Sequence, residues 1–166
     1  MRQLRIITVG KIKQAQRYVA EGVAIYEKRL SPVFKIDWVE VPEKPPTDTK
    51  PIDYLVEEEA RQIERYLLPN ATCYLLSERG ETPTSEGFSK LLFDSSHPNG
   101  GLGSGGQGPI IFIIGGAFGT APRLNETAHR IIALSRLTLP HQLVRLVLLE
   151  QCYRAWMIHE NKPYHK

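Results

Sequence analysis

Apolar residues recur along this chain in two rhythms, short unbroken runs and spacings of three to four, and the two alternate. Residues 4–9 form a short apolar run ending at Gly10-Lys11, a first strand. Tyr18, Gly22, Ile25 and Tyr26 then repeat at helical spacing as far as Leu30, and Ser31-Pro32 stops the helix. Phe34, Ile36 and Trp38 alternate with Lys35 and Asp37, which predicts a strand over 34–41 with one wetter face, suited to a sheet edge. A polar, proline-rich loop carrying Lys44 and Lys50 runs from Pro42 to Pro51. Ile52, Leu55, Val56, Ile63, Tyr66 and Leu67 predict a helix over 52–68, with Glu57-Glu58-Glu59 on its solvated face and Pro69-Asn70 as its break. A third strand over 71–76 ends in the loop 77–80, and Thr84 or Ser85 caps a helix through Phe88, Leu91 and Leu92.

The stretch 110–141 organises what surrounds it. Ile110 to Ile114 is an apolar, mostly β-branched run that reads as a strand buried on both faces, and it delivers Gly115-Gly116-Ala117-Phe118-Gly119. Glycine at such a turn lets a ligand approach the main chain, although GGxxG alone fits an ordinary strand-to-helix turn equally well. Beyond it, Thr120 as cap, Pro122 in the first turn and Leu124, Ala128, Ile131 and Ile132 on one face predict a helix. The segment 134–139 alternates around Ser135 and Thr138 before Pro140, which predicts another strand beside the first. The last helix, over 141–160, is apolar on more than one face, as a subunit interface requires, and places Glu150 and Arg154 one turn apart as a surface pair. Strand and helix alternating throughout argue for an α/β fold, a mostly parallel sheet flanked by helices.

Composition adjusts this only slightly. With 166 residues, 42% hydrophobic and 23% charged, the chain reads as one globular domain. No apolar run approaches the roughly 18 residues of a membrane span, and the N-terminus lacks a signal-peptide pattern, so the expected compartment is the cytoplasm. Cys73 and Cys152 give neither a disulfide framework nor metal spacing and read as buried small hydrophobes. Histidines at metal-ligand spacing are absent too, and no metal is expected; His97, His129 and His159 read as surface residues. The segment 97–108, HPNGGLGSGGQG, is too glycine-rich for fixed packing and reads as a flexible loop. A net charge of +3 permits a nucleic-acid partner without demanding one. After the strand 110–114 the glycines do not complete the dinucleotide fingerprint GxGxxG, the offset of its acidic ribose ligand falls near Ser135, and the P-loop GxxxxGK[ST] is absent.

The segments IIGGAFG, ALSRLTL and above all TLPHQLVRLVLLEQCYRAWMIHENKPYHK, with ITVGKIK, EGVAIYEKRLSP, KIDWVEVPEKP and YLLSERGETPTSEGF in the same order, resemble the RlmH (YbeA-type) family of SPOUT methyltransferases over essentially the whole chain. That resemblance implies an α/β fold with a C-terminal trefoil knot. It also implies a homodimer that binds S-adenosylmethionine and methylates ring nitrogen 3 of a pseudouridine in large-subunit (23S) ribosomal RNA, on the ribosome. Carried over position by position, the cofactor contacts are Leu76, Gly115, Leu134, Ser135, Arg136, Leu137, Thr138 and Leu139. Removing the proton from the nucleophilic nitrogen asks for a base or a polarising cation, for which His141, Arg154, Tyr164 and His165 are the candidates, with Tyr153 beside Arg154 to hold phosphate or stack a base. The glycine-rich stretch makes the connection before residue 110 longer than the family leads one to expect. A non-catalytic ribosome-binding or assembly factor is the competing reading, and the intact GGxxG and LSRLTLPH segments favour the enzyme.

Overall fold

The computed structural model describes residues 1–94 and 108–164; His165 and all of the glycine-rich segment except Gly108 lie outside the described residues. The elements are β1 (Arg2–Val9), α1 (Arg17–Leu30), β2 (Phe34–Val41), α2 (Ile52–Glu64), β3 (Thr72–Glu81), α3 (Ser85–Phe93), β4 (Ile110–Ile114), α4 (Arg123–Thr127), β5 (Arg130–Ile132) and α5 (His141–His159). The strands form one sheet in the order β2-β1-β4-β3-β5, and every pairing is parallel. This is the α/β architecture that the alternation of rhythms predicts. β4 lies between β1 and β3, and all five of its residues are buried, because neither of its faces meets water. β2 takes the edge, in keeping with its polar face.

Successive side chains point to opposite faces of a strand, and so the sheet divides its apolar residues between two cores. Leu4, Ile6, Tyr74, Phe112 and Ile114 pack with α1, α3 and α5 on one face, through Val23, Leu92, Leu148 and Cys152 among others. Ile7, Val9, Leu75, Ile111 and Ile113 pack with α2 and α4 on the other, through Ile63 and Leu124. Each of these large side chains contributes roughly 1.5–3 kcal/mol by leaving water. Both cysteines are buried and free, and Thr84 caps α3 by accepting the Gly87 N–H at 3.1 Å.

Four sequence expectations are corrected. The helix expected from Thr120 to Ile132 stops at Thr127 and no side chain caps it. Ile131 and Ile132 leave the helix to join β5 along β3, where His129 exchanges hydrogen bonds with Cys73, its N–H donating to the carbonyl and its Nδ1 accepting the amide. The segment 134–139 is a loop, not a strand: Ser135 Oγ accepts the Leu137 N–H at 2.9 Å, a local turn that competes with any ladder. β3 does not end at Leu76. It bulges over 77–80, since Leu76 and Glu81 both pair with Ile132, and Ala133 then donates to the Glu81 carbonyl. Finally, the acidic run is no simple solvated face, because Glu57 faces Arg123 and Glu59 is half-buried.

Candidate functional site

The carboxyl ends of β4, β3 and β5 come together at one rim of the sheet, where open parallel sheets hold ligands. Leu76 is in register with Ile114 and Ile132, so Leu76, Gly115 and the loop 134–139 leave three adjacent strands side by side. The register thus sets Leu76, Gly115 and the start of the loop 134–139 at the same rim. At Gly115 a Cβ would stand 2.5 Å from Thr120 Cγ2 and 2.9 Å from the Gly119 carbonyl oxygen, so the turn closes only on a bare backbone. Gly119 has φ +83°, the left-handed region that glycine tolerates. The loop 134–139 is anchored by Thr138, whose hydroxyl donates to Glu78 at 2.9 Å. Leu137 is 76% exposed, an apolar side chain open to solvent, while Leu76 is buried at the base. Backbone polar groups beside apolar walls suit an adenosyl group, and these residues fit S-adenosylmethionine.

His141 opens α5 directly after this loop and sits at the carboxyl ends of β1 and β2. Its Nε2 lies 3.0 Å from Gln142 Nε2. Burial first of all holds its pKa below the ordinary histidine value, with Arg145 and Lys13 lowering it further and Glu43 opposing them, which leaves a neutral imidazole able to accept a proton. The next turn fixes the helix. Gln142 donates to the Lys11 carbonyl at 3.1 Å, and the buried Arg145 donates to the Gly10 carbonyl and to Glu40 at 3.0 Å. Burial also lifts the Glu59 carboxyl to about 7, helped by the neighbouring charge of Glu43. Glu59 reaches the glycine turn, since its Oε2 lies 3.6 Å from where a Gly116 Cβ would be. Sequence reasoning missed Glu43, Glu59, Gln142 and Arg145; the acidic run and the proline-rich loop carry no local sign that the fold brings them together.

Arg154 and Tyr164 form a different cluster. Arg154 pairs with Glu150 at 2.7 Å, as their spacing predicts, and its guanidinium lies 5.1 Å from the centroid of the Tyr164 ring. Tyr164 meets Tyr153 edge-on at 4.9 Å, and hydrogen bonding with Tyr26 raises its pKa to about 12. Nearby, His159 stacks on Phe93, which touches Phe34 at the first position of β2, so this end of α5 belongs to the amino ends of the strands. From His141 to Arg154 is about 20 Å at 1.5 Å per residue. The structure thus sets His141 beside Gln142, which reaches Lys11 at the carboxyl end of β1, the strand next to β4, and leaves Arg154 and Tyr164 of the same chain at the other end of α5. Among the described residues no three His, Cys, Asp or Glu side chains gather as metal ligands, and no helix is long and apolar enough to cross a membrane.

An all-parallel sheet whose carboxyl ends gather a glycine turn and a polar loop defines a small-molecule-binding α/β protein. The family described as "Predicted SPOUT methyltransferase" matches residues 2–165, and the chain belongs to it. A protein of Desulforamulus reducens named Ribosomal RNA large subunit methyltransferase H is 41% identical, covering 100% of both chains. Relatives with the same name in Lactobacillus delbrueckii subsp. bulgaricus and Streptococcus gordonii are 39% and 38% identical and cover at least 98% of this chain and 99% of their own.

Proposed function

We propose that this protein uses S-adenosylmethionine to methylate ring nitrogen 3 of a pseudouridine in large-subunit ribosomal RNA, acting as a cytoplasmic homodimer on the assembled ribosome. The observation that carries this is the convergence of Leu76, Gly115 and residues 134–139 at one rim, in a chain alike over its full length to relatives named for that RNA. The knotted threading of the C-terminal portion belongs to the same reading.

Leu76 and Leu137 flank the adenosyl group in this reading, and the backbone around Gly115 and Ser135 supplies its hydrogen bonds. When bound, the cofactor provides a methyl carbon already activated by its sulfonium, and the protein's task is alignment, worth several kcal/mol. Neutral His141 accepts the proton that the ring nitrogen releases. The far end of α5 with Arg154, and Tyr164 beyond it, reach a cradle only from a second subunit in this reading, where the cation steadies the substrate.

Calorimetric titration with S-adenosylmethionine tests the cradle first. The parent binds and Gly115→Trp does not. The parent then methylates ribosomes from a strain lacking the modification, and reverse transcription halts at the product because an N3 methyl blocks the pairing edge. A folded parent that binds no S-adenosylmethionine overturns the reading.

A further inference from the structure

On the other side of the glycine turn a cleft of about 770 Å³ opens over the carboxyl ends of β1 and β2. Its volume lies in the range of sites that enclose a small organic molecule. The walls are apolar, with Pro42, Pro45, Pro46 and Phe118 among them. Three exposed lysines, Lys11, Lys13 and Lys44, also line it. Phe118 is 45% exposed although it sits on the turn that closes the cofactor cradle. An aromatic face bare to solvent and ringed by cations is how proteins take an unstacked base with its phosphates. The two carboxylates do not cancel this charge: Arg145 engages Glu40, and Glu43 lies half-buried against Gly10, its Oε2 3.1 Å from where a Cβ would be.

We propose that this cleft receives the target nucleotide flipped out of the ribosomal RNA, with its base stacked on Phe118 and the flanking phosphates held by Lys11, Lys13 and Lys44. The inference rests on the function proposed above and adds the place of the substrate. The glycine turn then borders both the cradle and the cleft, and the sulfonium methyl would have to meet the ring nitrogen past its rim for the in-line transfer. Glu43 then offers an acceptor to a ring N–H, and His141 stands close enough to Glu43 and Lys13 to feel both charges.

The test compares the parent, Phe118→Ala and the triple variant Lys11→Ala/Lys13→Ala/Lys44→Ala. Affinity for S-adenosylmethionine is measured by calorimetry, and methylation of unmodified ribosomes is followed over a range of salt concentrations. Phe118→Ala should lower kcat/KM about tenfold or more at unchanged cofactor affinity, the loss expected for one stacked base. The triple lysine variant should raise KM roughly tenfold and flatten its salt dependence, and lysine-to-arginine replacements should restore both. Variants with parental KM, kcat and salt dependence overturn the inference while leaving the proposed function standing. Loss of cofactor binding in Phe118→Ala overturns it as well, by placing that ring in the cradle. A parent that binds the cofactor yet methylates no ribosomal RNA removes both readings together.

Discussion

Single atoms decide how tightly the cradle is built. At Gly80 a Cβ would stand 2.6 Å from the Ile131 carbonyl carbon and from the Ile132 nitrogen, both backbone atoms of β5. Gly80→Ala must therefore push β5 away from the bulge, and the loop 134–139 moves with it. We expect a loss of about 1–3 kcal/mol in urea unfolding, together with weaker S-adenosylmethionine binding; a variant with parental values for both would show that the bulge is free to yield. Glu59 gives a prediction in pH. Its pKa is raised to about 7 in the folded protein from an ordinary 4.5, so the native state holds a proton that the unfolded chain has lost. Stability then falls as pH rises between those values and is flat above them. Glu59→Gln removes the penalty, and its advantage over the parent in unfolding free energy, read by urea unfolding, should grow from pH 5 to pH 8, on the order of 1–2 kcal/mol after discounting for partial exposure. An equal difference at the two pH values would rule out the carboxyl as the source.

Helix α5 shows why some elements were legible and others were not. Its apolar spacing foretold a helix, and Glu150 with Arg154 foretold their ion pair, because both are properties of neighbouring turns. Ile110 to Ile114 foretold a doubly buried strand for the same local reason. The cofactor positions came from resemblance; only the sheet register shows that Leu76, Gly115 and the loop 134–139 leave adjacent strands. Ile131 and Ile132 misled because their spacing from Leu124 fits a helix, while the open edge of β3, 56 residues from His129 at Cys73, claims them for a strand. Arg145 is the extreme case, a cation on a helix apolar on more than one face, whose partners, Gly10 and Glu40, lie more than 100 residues away. That guanidinium fixes the start of α5 to β1 and β2. Arg145→Met should cost roughly 3 kcal/mol by urea unfolding, since it strands a buried carbonyl and Glu40, and Arg145→Lys should recover only part because it lacks the planar fork. A Met variant within about 0.5 kcal/mol of the parent would assign the anchoring of α5 to its apolar face alone.

The length of α5 also sets what one chain can accomplish. His141 stands by the carboxyl end of β1, through Gln142 and Lys11, whereas Arg154, with Tyr164 against it, lies about 20 Å along the helix, beside Tyr153 and Tyr26. No rotamer spans that gap, so if both ends act on one nucleotide they belong to different subunits. In the proposed two-fold dimer this geometry would occur twice, each cradle completed by the other subunit's tail. Subunit mixing reads it out. Gly115→Trp disables the cradle, and Arg154→Ala/Tyr164→Ala disables the tail, so each homodimer should be inactive on ribosomes. In an equal mixture allowed to exchange subunits, half the dimers are hybrid, and each hybrid joins the intact cradle of one chain to the intact tail of the other. About a quarter of parental activity should return, from one working site in half of the dimers. If cradle and tail worked within one chain, every hybrid would hold two broken sites, and the mixture would stay as inactive as its components.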